Sequence, residues 1–169
     1  GALAPAQLSG DAGRNYLAGN EGNDVLTGGG GNDTFAYDLS RNNGIDRITD
    51  LEAGENIHLV SGGTLMLDAN ILSGNDASGL GRGQVMVGDE VDGVPRIYVG
   101  TDEVAGADLM IDLQGNFIAS DFEAYNDGWG AHLRVMEEEP EGENIVGTDA
   151  GETMHGSPGA DIIAGKRGN

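Results

Sequence analysis

A strict period of nine is the feature that most limits what this chain can fold into. In "GNEGNDVLTGGGGNDTF", residues 19 to 35, Gly19, Gly22, Asp24 and Leu26 are each followed nine residues later by Gly28, Gly31, Asp33 and Phe35. Nine residues is too long for a helix turn and too short for a repeat built from paired helices. It suits a flat coil in which each repeat is one turn plus one very short strand. The apolar residue points inward, because strand side chains alternate faces. The glycines reach backbone angles closed to other residues, so the chain reverses within a few positions. The aspartate ends the turn, beside carbonyls that the turn leaves without strand partners. A hard cation with oxygen ligands would satisfy both.

The register extends backward and then breaks. Gly10, Gly13, Asn15 and Leu17 fall in phase with the later repeats. Asn15 keeps one oxygen but no charge, so a weaker ligand is expected there. Forward, the next acid position would be Asn42, where the glycines are gone. The coil is therefore expected to end, and "YDLSRNNGIDRITDLEAGENIHLV" to close it as a cap, with Asp46 replacing the missing ligand. The pattern returns near the C-terminus. Gly147, Gly156 and Gly165 are nine apart, Ala150, Gly159 and Gly168 hold the second small position, Glu152 and Asp161 the acid, and Met154 and Ile163 the apolar one. The third acid would fall one residue past the end, so a piece of a longer protein is expected. Ordinary Asx turns would explain one such copy, since Asp, Asn and Gly dominate turns anyway. They do not explain five copies in register.

The pattern G-G-x-G-x-D-x-U-x is the calcium-binding nonapeptide of RTX proteins, and the chain resembles that β-roll family over these residues. The resemblance implies that turns two repeats apart stack on one side of the coil. Each calcium then lies between two such turns, taking an acid side chain and carbonyls from both. Carried over, one ion sits between the turns of Asn15 and Asp33. Another joins the turn of Asp24 to the cap through Asp46. Carbonyls come from Gly10, Gly19, Gly28 and their neighbours, with Gly22 and Gly31 in the same metal-binding turns. Glu152 and Asp161 are the candidate ligands of the second block. Their stacking partners would lie beyond the last residue, so poor metallation is expected there, or pairing with another copy through an open coil end. Asp50, Glu52, Asp102 and Asp108 read as a solvated acidic face.

Residues 61–125 have a different texture. "GQVMVG", "RIYVG" and "ADLMIDL" are short β-rich runs broken by Gly, Asp and Pro, as expected for antiparallel strands of a hairpin or small sandwich. For "LMLDANIL" at 65–72, periodicity leaves strand and short helix open. The stretch "RIYVGTDEVAGADLMIDLQGNFIASDF" resembles the end of the C-terminal domain of serralysin-type secreted metalloproteases, and with the repeats before it the resemblance to that domain runs over residues 10–125. The expected fold is all-β: a parallel β-roll, then antiparallel strands forming a small sandwich or cap, then the start of a second β-roll. The expected divisions are a linker at 1–9, roll and cap at 10–60, antiparallel segment at 61–125, acidic linker with "MEEEPEGEN" at 126–146, and the second block at 147–169.

Composition narrows function. The chain has 29 acidic and 8 basic residues and a formal charge of -21. Nucleic acid and anionic membranes both want clustered Lys and Arg, so neither is an expected partner. The same charge repels itself, and divalent cations are the economical relief. Cysteine is absent, so no disulfide framework or thiolate metal site is available; this fits a secreted protein held by metal. His58, His132 and His155 form no HExxH or HxH pair, and no GxSxG elbow or P-loop occurs, so no enzyme is expected within the segment. Tyr125 and Trp129 in "FEAYNDGWGAHL" are candidates for stacking on a sugar ring, or for covering the open end of the sandwich. The leading expectation is a non-catalytic calcium-binding RTX module of a larger secreted bacterial protein, folding outside the cell and assisting type I secretion. The alternative is a polysaccharide-binding module resembling those attached to alginate epimerases. Its ligand would be a neutral glycan, since an anionic one wants a basic groove.

Overall fold

The computed structural model describes residues 4–61, 65–89, 93–137, 144–146, 153–155 and 161–164. The chain forms two compact units, Gly1–Met136 and Glu137–Asn169.

In the first unit the chain alternates between two sheets. Strands β1 (Gln7–Ser9), β3 (Val25–Thr27) and β5 (Ile45–Ile48) lie side by side in one sheet. Strands β2 (Tyr16–Leu17), β4 (Thr34–Asp38) and β6 (Asn56–Val60) lie side by side in the other. All these neighbours are parallel. Each circuit therefore contributes one short strand to each sheet, which is the coil that the nine-residue period demands. Leu17, Leu26 and Phe35 point inward and are buried.

The coil does not stop where its glycines stop. Leu26 pairs with Ile48 and Phe35 with Ile57, both in parallel register. The stretch expected to act as a cap is a further circuit of the same coil, with Ile48 and Ile57 carrying the buried apolar positions. Longer loops deliver the strands, so the glycine spacing is lost while the inward pattern survives.

The antiparallel segment grows out of the same sheets. Strand β9 (Pro95–Val99) pairs antiparallel with both β8 (Val85–Asp89) and β10 (Leu109–Leu113), and β10 pairs in parallel with β5. The sheet is completed at its far edge by β7 (Leu72–Ser73). Leu109, Ile111 and Leu113 join the coil residues in one hydrophobic core. The run 65–71 is neither strand nor helix, yet Leu65 and Leu67 are buried.

The second sheet is extended by β12 (Ala131–Val135), antiparallel to β6, and by β11 (Phe122–Asn126) at its edge. Residues 126–135 were expected to begin a linker. Instead Asn126 ends β11, and Ala131, Leu133 and Val135 alternate inward and are buried, so 131–135 is an internal strand. Burial of three apolar side chains outweighs the acid run that follows. In the second unit, β13 (Asn144–Val146) pairs in parallel with β14 (Ile162–Ala164), two nonapeptides further on. Among the described residues no helix is long and apolar enough to cross a membrane.

Candidate metal centre

The coil stacks its turns into two columns of side chains. In one, Ala6, Asp24 and Asp46 follow one another; in the other, Asn15, Asp33 and Glu55. One hydrogen bond recurs along both. The Asp24 carboxylate accepts the Ala6 N–H at 2.7 Å, that of Asp33 the Asn15 N–H at 2.7 Å, and that of Asp46 the Asp24 N–H at 2.8 Å. The step is 18 residues for the first two and 22 for the third. Each carboxylate thus ties its turn to the one below through a single oxygen.

The other oxygen is stranded. Asp24, Asp33 and Asp46 are only 1–2% exposed, and their Oδ2 atoms are buried without a hydrogen-bond partner. A buried, unpaired carboxylate oxygen is costly unless a cation or proton meets it. Burial, with the Asp24 charge adding to it, pushes the Asp46 carboxyl up to about 7 against the lowering hydrogen bond from the Asp24 backbone. The buried Tyr37 hydroxyl also lacks a partner; burial raises its pKa well above the usual value, and the charges of Asp46 and Asp24 add to this.

The glycines leave room for these oxygens. A side chain at Gly19 would begin 2.5 Å from Asp24 Oδ2, and one at Gly28 would strike Asp33 Oδ2. A side chain at Gly10 would strike both Asn15 Oδ1 and the Gly28 carbonyl, and one at Gly31 would approach the Gly13 carbonyl at 2.8 Å. Gly31 also has φ of 104°, where other residues are strained. Gly22 shares that need, with φ of 135°. Carboxylate and carbonyl oxygens therefore face one another around side-chain-free turns, a donor set suited to a hard cation. A hollow of 360 Å³ opens at Gly19 and Asp24. A larger hollow of 610 Å³, lined by Asp38, Val60 and Asp102 among others, contains none of the candidate ligands. Among the described residues no three His, Cys, Asp or Glu side chains converge on one point, so any ion here draws on backbone oxygens as well.

The other candidates fall out variously. Asn15 Oδ1 accepts the Asp11 N–H at 2.8 Å, so part of its capacity is spent within its own turn. Asp50 does not simply face solvent: its two oxygens accept the Gly28 and Gly29 N–H groups at 2.8 and 2.9 Å, bracing a glycine turn. Asp161 is half-buried just before β14, and Glu152 lies outside the described residues. Tyr125 stacks on His132 with centroids 4.7 Å apart, and His132 stacks on His58 at 4.4 Å. Trp129 is 83% exposed, so it does not cover the sandwich. Sequence reasoning missed Glu55, which is 1% exposed with Oε1 buried and unpartnered. The available signal was the 22-residue step, which carries Asp24 to Asp46 and equally Asp33 to Glu55.

Fold and site together define a parallel β-roll with two columns of buried acidic side chains. The family of the RTX calcium-binding nonapeptide repeat matches residues 7–39 and 144–169, in 4 copies. The chain thus carries the repeat of a structural calcium-binding coil. No curated protein matches it.

Proposed function

We propose that this chain is a non-catalytic calcium-folded module of a larger secreted bacterial protein, with ions between the turns of Asn15 and Asp33 and between those of Asp24 and Asp46. The observation that carries the reading is the stranded second oxygen on Asp24, Asp33 and Asp46, each fully buried in the coil. Calcium bound there supplies positive charge and joins residues far apart along the chain. The protein's own groups position the oxygens, exclude water and leave side-chain-free space beside them.

Such a module suits passage through a type I secretion system. With little calcium the chain stays unfolded and threadable; with external calcium it folds. Extracellular calcium modules bind at about 10⁻⁴ to 10⁻³ M. At a tenfold excess over that constant each ion adds roughly 1.4 kcal/mol, enough for a few ions to decide a marginal fold. The serralysin-like stretch fits the same role, as the accessory end of a secreted protein. The midpoint of calcium-induced folding, followed by near-ultraviolet circular dichroism, tests this. It is expected at about 10⁻⁴ to 10⁻³ M. A midpoint below about 10⁻⁶ M, in the range that intracellular sensors and buffers work, would mean folding before export and overturn the secretion reading.

A further inference from the structure

We infer that the outer face of the second sheet carries a binding site for a neutral oligosaccharide, with Trp129 and Tyr16 stacking on sugar rings and His58 and Asp127 bonding their hydroxyls. None of these residues belongs to the acidic columns, and the site stands apart from the calcium reading above.

Three observations carry it. The first is exposure. Among the described residues, Tyr16 and Trp129 are the aromatic side chains left mostly in water, 63% and 83% exposed. Trp129 is the chain's single tryptophan, a residue that folding usually covers over most of its area. Here its ring adds nothing to the core. The second is arrangement. Both aromatics meet the same histidine. The Tyr16 ring stands edge-on to that of His58 with centroids 6.4 Å apart, and the Trp129 carbonyl lies 3.4 Å from His58 Nε2. The turn that carries Trp129 is braced: Asp127 Oδ1 accepts the Trp129 N–H at 2.7 Å and the Gly130 N–H at 3.0 Å. A side chain at Gly130 would begin 2.8 Å from His58 Nε2, so glycine lets the turn lie against the histidine. Aromatic rings held in place by their surroundings bind with little further ordering cost. Tyr125, stacked on His132 and with Arg134 over its ring, is engaged within the protein and supports His58 through that stack.

The third is polar capacity left unspent. Among the described residues, no hydrogen bond is made by His58 Nδ1 or by Asp127 Oδ2, and the Asp127 side chain is 41% exposed. Burial, with His132 beside it adding, lowers the His58 pKa, so this ring is neutral at neutral pH. A pyranose matches these groups. Its C–H face lies on an aromatic ring, and its hydroxyls donate to a carboxylate or an imidazole nitrogen. An anionic polysaccharide is repelled by a chain of formal charge -21. Asp127 is the one acid among these four residues and is half spent on its own turn, too little to draw a basic protein. Two aromatics flanking one histidine suit a chain of sugars rather than a single ring.

Titration of the full chain in calcium with cellohexaose, laminarihexaose, mannohexaose and maltohexaose, and with hexagalacturonate as the anionic control, tests this. Tryptophan fluorescence reports Trp129 alone, and calorimetry gives the affinity. The expected result is saturable binding of at least one neutral hexasaccharide, with a shift in the fluorescence. Trp129→Ala should weaken it about tenfold or more and Tyr16→Ala about threefold or more. Ile118→Ala, at a residue 64% exposed elsewhere on the unit, should bind as the wild type does. Failure of all four neutral sugars to bind at millimolar concentration would overturn the inference. So would binding that survives Trp129→Ala, or hexagalacturonate binding as tightly as any neutral sugar. The calcium reading is checked separately, by calcium-induced circular dichroism of the same samples, which the wild type and all three variants should show alike.

Discussion

In excess EGTA at neutral pH the Gly1–Met136 unit is expected to lose most of its β-sheet circular dichroism, and to regain it on calcium addition. Four carboxylates, on Asp24, Asp33, Asp46 and Glu55, are 1–2% exposed, in a chain whose formal charge is -21. Each uncompensated buried charge costs several kcal/mol, against a total stability of about 5–15 kcal/mol for an ordinary domain. Without a cation the core cannot carry that load. Magnesium should restore little. Acid should substitute in part. Burial, with a neighbouring acid adding to it, pushes both Asp46 and Glu55 up to about 7, above the ordinary range of unfolded carboxyls near 4. A carboxyl raised on folding stabilises the fold below its unfolded value, and that contribution is lost as pH rises through about 7. Calcium-free protein should therefore gain structure as pH falls from about 7 toward 5. A full sheet signal in EGTA at neutral pH would show that the coil closes without metal.

The second large effect is expected at single aspartates. Asp24→Ala and Asp33→Ala should each raise the calcium midpoint for folding by about tenfold or more, because each deletes a tie between turns and, on the proposed reading, a charged ligand, and about 1.4 kcal/mol is tenfold. Asp102→Ala and Asp108→Ala are the controls. Asp102 accepts the Val104 N–H at 2.7 Å and Asp108 the Thr101 N–H at 2.6 Å, both in exposed turns. They should leave the midpoint within about twofold, since surface changes are usually worth within about 0.5 kcal/mol. Equal shifts for all four would point to bulk charge screening.

How much of this is legible in the sequence differs by element. Leu17, Leu26 and Phe35 are readable as core, and Asn15, Asp24 and Asp33 as the acid register, because a period of nine forces each to recur at the same place in the coil. The continuation is harder to see. "GNDVLT" at 22–27 returns as "GIDRIT" at 44–49, but four extra residues break the nine-residue phase. A search at fixed period therefore stops at Phe35 and reads β5 and β6 as a cap. Glu55 hides behind the same four residues and a change of acid. Asp50 looks like a surface acid because its partners, Gly28 and Gly29, are more than twenty residues away. The strand at 131–135 is masked by its neighbours: a Gly-rich turn precedes it and an acid run follows, and composition there outvotes the alternation of Ala131, Leu133 and Val135.

The central claim is that calcium binds at defined places in the acidic columns. Equilibrium dialysis of the wild-type chain against calcium, in excess magnesium and about 0.15 M salt to screen exposed charges, tests it most directly. The account predicts saturable uptake of about two or more calcium ions per chain, with dissociation constants of about 10⁻³ M or tighter. Uptake that never saturates, or that magnesium and salt abolish, would contradict it.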